Sequence, residues 1–137
     1  MAANTKMATA IQILCVITYR KNQGTTAEDI ARSLETNPVV VRRMLKDMEL
    51  CGLVELRPGK SGGVRLMLDP MDITLDKVYR AIETNDKIFA LRPQGNPLCI
   101  VDKHMDALLV SIFGMTNTAV ETVLSQTNIA TLVENIK

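Results

Sequence analysis

A mainly α chain with one small β-hairpin is predicted, and three observations predict it. Two short amphipathic stretches, Ala27 to Leu34 and Pro38 to Leu50, are separated only by Glu35-Thr36-Asn37, which is helix-turn-helix spacing. Leu53 to Arg57 and Val64 to Leu68 alternate apolar and polar residues across Pro58-Gly59-Lys60-Ser61-Gly62-Gly63, the signature of a hairpin with a glycine-rich turn. Val101, Met105, Leu108, Ile112, Met115 and Ala119 step by fours and threes along one long helical stretch. The combined expectation is a winged helix-turn-helix followed by a long C-terminal dimerisation helix. Residues 1–84 are assigned to the winged helix-turn-helix, and 85–137 to a connecting loop and the C-terminal dimerisation helices.

Apolar residues make up 47% of the 137, enough for a core. With no Trp, two Tyr, two Phe and eight Met, that core is expected to be aliphatic. The net charge of +1 says little, but its distribution says more. Residues 1–66 hold ten Lys/Arg and six Asp/Glu, whereas 67–137 hold six and nine. A basic half joined to an acidic half suits a module that meets an anion with one end. Cys15, Cys51 and Cys99 are odd in number and far apart, so neither a disulfide framework nor a metal pair is expected. The longest uninterrupted apolar run, near Ile13 to Thr18, is far short of a membrane span, and no leader-like segment opens the chain. A cytoplasmic protein with no membrane partner is expected.

Taken in order, Met1 to Asn4 read as an arm, with Asn4 or Thr5 capping a first helix. Its inner face is Met7, Ala10, Ile11, Leu14 and Ile17, with Cys15 on or beside it. This helix should stop at Asn22-Gln23-Gly24, where Gly24 tolerates a left-handed end. Thr26 with Asp29 makes an N-terminal capping signal for the second helix. Asn37 is a good N-cap for the third helix, and Pro38 suits its first position because the missing N–H has no partner there anyway.

The third helix has two faces. Val41, Met44, Leu45 and Met48 form a stripe for the core, while Val39, Arg42, Arg43 and Lys46 form another about 160° around the axis. Gly52 ends it, and the hairpin follows with Arg57, Lys60 and Arg65 on its tip and outer side. A charged face is often only solvated. Here a cationic helix face and a cationic hairpin occur together, with six Lys/Arg against three Asp/Glu over residues 37–66. A helix of this kind fits a major groove, and a hairpin tip reaches the adjacent backbone or minor groove. Double-stranded DNA is therefore the expected partner. Asn37, Val39, Arg42, Arg43 and Lys46 are the candidates on the helix, and Arg57, Lys60 and Arg65 on the wing. Gly59-Lys60-Ser61 is not a phosphate loop: the earlier glycine that motif needs is Val54, and a strand follows instead of a helix.

Beyond a turn at Asp69 to Asp72, Thr74 should cap a helix to Glu83, with Leu75, Val78, Tyr79 and Ile82 on one face. Thr84 to Pro97 is irregular, with a short extended piece at Ile88 to Leu91. A long helix is expected from about Leu98 to Ser125. The seam from Val101 to Ala119 and a second face of Leu109, Phe113, Val120 and Leu124 imply two packing partners: its own domain, and the same helix of a twin subunit. A break at Gly114 to Thr118 is the alternative. Asn128 should cap a last helix, Ile129 to Ile136.

Thr36-Asn37-Pro38-Val39-Val40-Val41-Arg42-Arg43, the hairpin end Ser61 to Leu66, and Ile73-Thr74-Leu75-Asp76-Lys77-Val78-Tyr79-Arg80-Ala81-Ile82-Glu83 resemble the bacterial Rrf-two family of winged-helix transcription regulators. The likeness runs over nearly the whole chain and is nearest to the YwnA-like subgroup. It implies a homodimeric DNA-binding regulator, usually a repressor, whose C-terminal helix crosses its mate. Some members hold an iron–sulphur cluster on three closely spaced cysteines ahead of that helix. This chain departs from the pattern, with Cys99 alone in Asn96-Pro97-Leu98-Cys99-Ile100 and His104 one turn on. One thiol and one imidazole fall short of the ligand set a cluster wants, so no cofactor and no metal are expected. Cluster-free members include a cysteine-metabolism repressor that works through a protein partner, which leaves room for a regulatory protein partner here. Cys99 is a candidate thiol sensor, although Asp102 nearby does not favour a thiolate. The rival reading is a winged helix that docks a protein and ignores DNA. With one His and no acid pair or Cys-His motif, no enzyme is expected.

Overall fold

The computed structural model describes residues 5–21, 23–59, 62–83, 88–93 and 95–136. The expected N-terminal arm, the cap candidate Asn4, the helix-end residue Asn22, and Lys60 and Ser61 of the hairpin turn lie outside them.

Helix α1 (Lys6–Tyr19) buries Ala10, Ile13, Leu14 and Ile17. The expected stripe left out Ile13 and included Met7 and Ile11, which are only half-buried. With Met7, Ile11, Cys15 and Val16 partly buried beside these four, the covered face is wider than expected, because α1 has neighbours from both the N- and C-terminal parts of the chain. The left-handed residue that ends α1 is Lys21, at φ 59°, not Gly24. Gly24 serves instead in the loop after it, where the chain meets the hairpin.

In α2 (Ala27–Leu34) the capping box is complete. The Thr26 hydroxyl accepts from the Asp29 N–H at 3.1 Å, and the Asp29 carboxylate accepts from the Thr26 N–H at 3.4 Å. Glu35 turns the chain at φ 52°. Asn37 then caps α3 (Pro38–Leu50), its Oδ1 accepting from the Val39 N–H at 2.9 Å. Val41, Met44, Leu45 and Met48 are buried against α2 and the hairpin. Full burial of an aliphatic side chain is worth about 1.5–3 kcal/mol, so this stripe fixes how α3 sits and which face it leaves outward.

The hairpin is β1 (Val54–Arg57) with β2 (Gly63–Leu66), antiparallel, pairing Val54 with Leu66, Glu55 with Arg65, Leu56 with Val64 and Arg57 with Gly63. Both strands are shorter than expected, without Leu53 in the first and without Met67 and Leu68 in the second. The Glu49 carboxylate at the end of α3 accepts from the Leu56 N–H at 2.9 Å and ties β1 to that helix. The outer edge of β2 receives a contact the sequence did not suggest: the Val64 N–H donates to the Thr25 carbonyl at 2.8 Å.

After a single 3-10 turn at Pro70–Asp72, α4 (Leu75–Ile82) buries Val78 and Ile82. Leu75 and Tyr79, expected on the same face, are half-buried, and Asp76 is buried although the pattern placed it outside. Thr74 stands at the N-cap, but its hydroxyl makes no capping bond. Ile88 to Leu91 do not form a strand. The Ile88 N–H donates to the Asn117 side chain at 3.0 Å, and the Phe89 ring lies 5.6 Å from that of Phe113.

Helix α5 (Ile100–Leu124) runs unbroken through Gly114, so the two-helix alternative is not observed. By length and composition it could cross a membrane, which counting uninterrupted apolar runs overlooked. Its apolar residues lie in stripes broken by Ser111, Thr116, Asn117 and Thr118. The last helix, α6 (Ile129–Glu134), is shorter than expected and returns to the start of the chain. It packs on α1, Ile129 is fully buried in the core, and the Ile129 N–H donates to the Ile73 carbonyl at 3.0 Å. The C-terminal segment thus closes the same core that holds α3.

Candidate nucleic-acid interface

The burial of Val41, Met44, Leu45 and Met48 turns the opposite face of α3 outward. Asn37, Val39, Arg42, Arg43 and Lys46 are all exposed there, Val39 at 53%. This valine, at the start of a cationic helix, presents its methyl groups to solvent and not to the core. Asn37 has its side-chain oxygen engaged in the cap, which leaves its amide N–H groups for an acceptor.

The cations differ in their surroundings. Arg43 and Lys46 make no ion pair among the described residues. Arg42 is paired: its Nη2 donates to Oε1 of Glu28 in the first turn of α2. Sequence reading did not pair Glu28 with Arg42. On the wing, Arg57 is exposed and lies 3.3 Å from Glu55. Arg65 is half-buried and its guanidinium lies over Gly24, so it faces the α1–α2 loop more than the wing tip. Lys60 is outside the described residues.

The expected dimer seam is a second outward surface. Val101, Leu108, Ile112 and Met115 are exposed at 61%, 60%, 55% and 70%; Ala119 is exposed and Met105 half-buried. The other apolar face, Leu109, Phe113, Val120 and Leu124, is half-buried along its length. The Arg80 Nε bonds to Glu121 at 3.0 Å and fastens α5 to α4. Cys99 is exposed at the N-cap of α5, beside a cavity of about 430 Å³ that Arg92, Asn96, Asp102 and Met105 help to line. Cys15, half-buried on α1, has its thiol pushed up by burial.

Residues 3–135 match the family described as Rrf2, iron-dependent transcriptional regulator. The chain belongs to the Rrf2 family. It is 35% identical over 133 residues to YwnA of Bacillus subtilis (strain 168), an inferred HTH-type transcriptional regulator, covering 97% of this chain and 98% of that one. A crystal structure of an inferred DNA-binding protein is 34% identical, covers 91% of this chain and 96% of its own, and superposes with a TM-score of 0.72. CymR (YrzC), the global cysteine regulator of B. subtilis, shares the fold at a TM-score of 0.70 and 19% identity, over 100% of this chain and 99% of its own. Rrf2 members are non-enzymatic, DNA-binding winged-helix transcription regulators, and membership gives this chain the same class. The iron in the family's description does not fit the residues here. Among the described residues no three His, Cys, Asp or Glu come together as a metal site, and Cys15, Cys51 and Cys99 lie on separate elements.

Proposed function

We propose that this Rrf2 regulator binds a two-fold operator in a sequence-specific manner as a homodimer and acts as a repressor in the cytoplasm. The observation that carries the reading is the division of α3, whose buried stripe leaves Arg42, Arg43 and Lys46 on the opposite, exposed side with Val39 and Asn37 at its start. In this reading α3 enters the major groove, Arg42, Arg43 and Lys46 meet phosphates and base edges, and Asn37 and Val39 stand nearest the bases. Arg57, Lys60 and Arg65 would hold the wing to the backbone or minor groove.

The dimer rests on the exposed seam of α5. A lone subunit would leave Val101, Leu108, Ile112 and Met115 in water, and a twin helix covers them without a new surface elsewhere. The attachment of α5 through Asn117 and Glu121 to its own chain favours this partner over lipid. Two recognition helices would then meet successive grooves about 34 Å apart. Cys99 and the cavity beside it are where a thiol-borne signal or a regulatory protein would act.

The pairing of Arg42 and Arg57 with acids lowers the unpaired positive charge and favours a second reading, a winged helix that docks a protein. Exchanging Arg42 and Arg43 together for Glu separates the two. Neither side chain is in the core, so the fold should survive while retardation of promoter DNA is lost. Unchanged DNA affinity in that double variant sinks the helix assignment. The wild-type affinity for random duplexes should also fall steeply with salt, and no binding at low salt supports the protein-docking alternative.

A further inference from the structure

Glu28 stands at the second position of α2, and its carboxylate reaches across to the Arg42 guanidinium on α3. Both side chains are about half exposed, at 52% and 54%. An exposed pair of this kind does little for the fold, and α2 is already capped by Thr26 and Asp29 without it. What the pair changes is the character of the outward face. Arg43 and Lys46 make no ion pair among the described residues, whereas Arg42 makes one.

A guanidinium presents five N–H donors in one rigid plane. With one N–H engaged by Glu28, the remaining donors are biased toward one orientation before any partner arrives. The charge is also offset in advance, so a phosphate gains less from meeting Arg42 than from meeting Arg43 or Lys46. A base edge gains from the orientation instead, because two parallel N–H groups match the O6 and N7 acceptors of guanine.

We propose that Glu28 is a specificity-determining residue of the DNA interface: it withholds Arg42 from general phosphate contacts and orients it for a base edge. The proposal rests on the reading of α3 as the helix that meets DNA. On arbitrary sequence, the helix grips through Arg43 and Lys46. On the preferred sequence, Arg42 adds a contact whose direction Glu28 sets. An acid beside the phosphates would otherwise only weaken binding, and this role accounts for its place there.

The test uses the full chain, as wild type, E28Q, R42Q and the double variant, with matched thermal denaturation to show that each is folded. Two probes are used: a random-sequence 30-base-pair duplex, and the strongest duplex recovered by selection from a random library. On the random duplex, R42Q should leave the salt dependence of wild-type binding nearly unchanged. In the E28Q background it should lower the slope of log affinity against log salt by roughly 0.9 per subunit. E28Q alone should bind the random duplex more tightly and reduce the preference for the selected duplex by roughly tenfold. Equal slope changes from R42Q in the two backgrounds overturn the proposal, whatever happens to the preference. If the wild-type protein binds neither duplex at low salt, the DNA reading itself fails, and the role given to Glu28 falls with it; binding with equal slope changes overturns the role of Glu28 alone.

Discussion

A methyl group on Gly63 would stand 2.3 Å from the carbonyl oxygen of Gly24, closer than any real contact of this kind. Gly63 also has φ 127°, a region that side chains rarely enter. The wing is therefore laid directly on the backbone of the α1–α2 loop, and the Val64 N–H to Thr25 bond closes the seam. Gly63→Ala should cost about 2–4 kcal/mol, from backbone strain and overpacking together. Gly59→Ala is the control: its φ is 95°, but among the described residues nothing lies within 4 Å of an added Cβ, so only strain of about 1–2 kcal/mol applies. Urea unfolding of the two variants checks this. A Gly63 variant no weaker than the Gly59 variant would show that the seam does not hold the wing.

Local signals explain why the helix-turn-helix was legible. Thr26 with Asp29, Asn37 with Pro38, and Gly52 each act within one turn of their own position, so reading the chain residue by residue finds them. The outward face of α3 followed from the periodicity of its buried stripe. Contacts between elements were not legible. Glu28 and Arg42 are 14 residues apart and meet only because α2 and α3 cross at a particular angle. The bridge from Thr25 to Val64 and the return of Ile129 to the core are longer-range still. At Gly114 a penalty of about 1 kcal/mol left a break as the alternative, but α5 runs on as the expected long helix, with its stripes continuing on both sides.

Ile112 lies at the centre of the exposed seam, 55% accessible in the lone subunit. Ile112→Arg should leave the subunit fold intact because the side chain has little packing within its own chain. It places a charge at the centre of the proposed twin contact, which has no partner for it. Sedimentation should show monomers, and affinity for a two-fold DNA site should fall by at least roughly tenfold as the second recognition helix is lost. A dimer that persists with this variant would move the twin contact off the seam.

Asp29 should make stability depend on pH in a defined direction. A side-chain hydrogen bond with Thr26, then a backbone bond from the same residue, hold its carboxyl below the usual range. A group whose folded value is depressed contributes stability above its unfolded value, and that contribution is lost as pH falls through the folded one. The stability gap between wild type and Asp29→Asn should therefore be full at neutral pH and begin to close below about pH 4, the ordinary carboxylate value. Thr26→Ala, which removes the hydroxyl side of the box, should cost about 1 kcal/mol. Urea unfolding at several pH values reads both. A gap that stays constant down to acid pH would mean the cap works through shape and not charge.

Arg80 reaches two acids, Asp76 at 2.9 Å on its own helix and Glu121 at 3.0 Å on α5. Asp76 is only 8% exposed, and its Oδ1 has no hydrogen-bond partner among the described residues. Arg80 is thus the charged group that makes a buried carboxylate tolerable, and the same guanidinium fastens α5 to the helix packed on α3. Replacing Arg80 by Met keeps the length of the side chain and removes both bonds. With Arg80 itself half in water, the expected loss is about 1–3 kcal/mol, the cost of leaving a buried polar group unmatched. In an Asp76→Asn background the same replacement should cost far less, since no buried charge is stranded. Thermal unfolding of the four proteins gives the coupling. Equal losses in the two backgrounds would assign the role of Arg80 to Glu121 alone, and make it a fastener of α5 and not a counter-charge in the core.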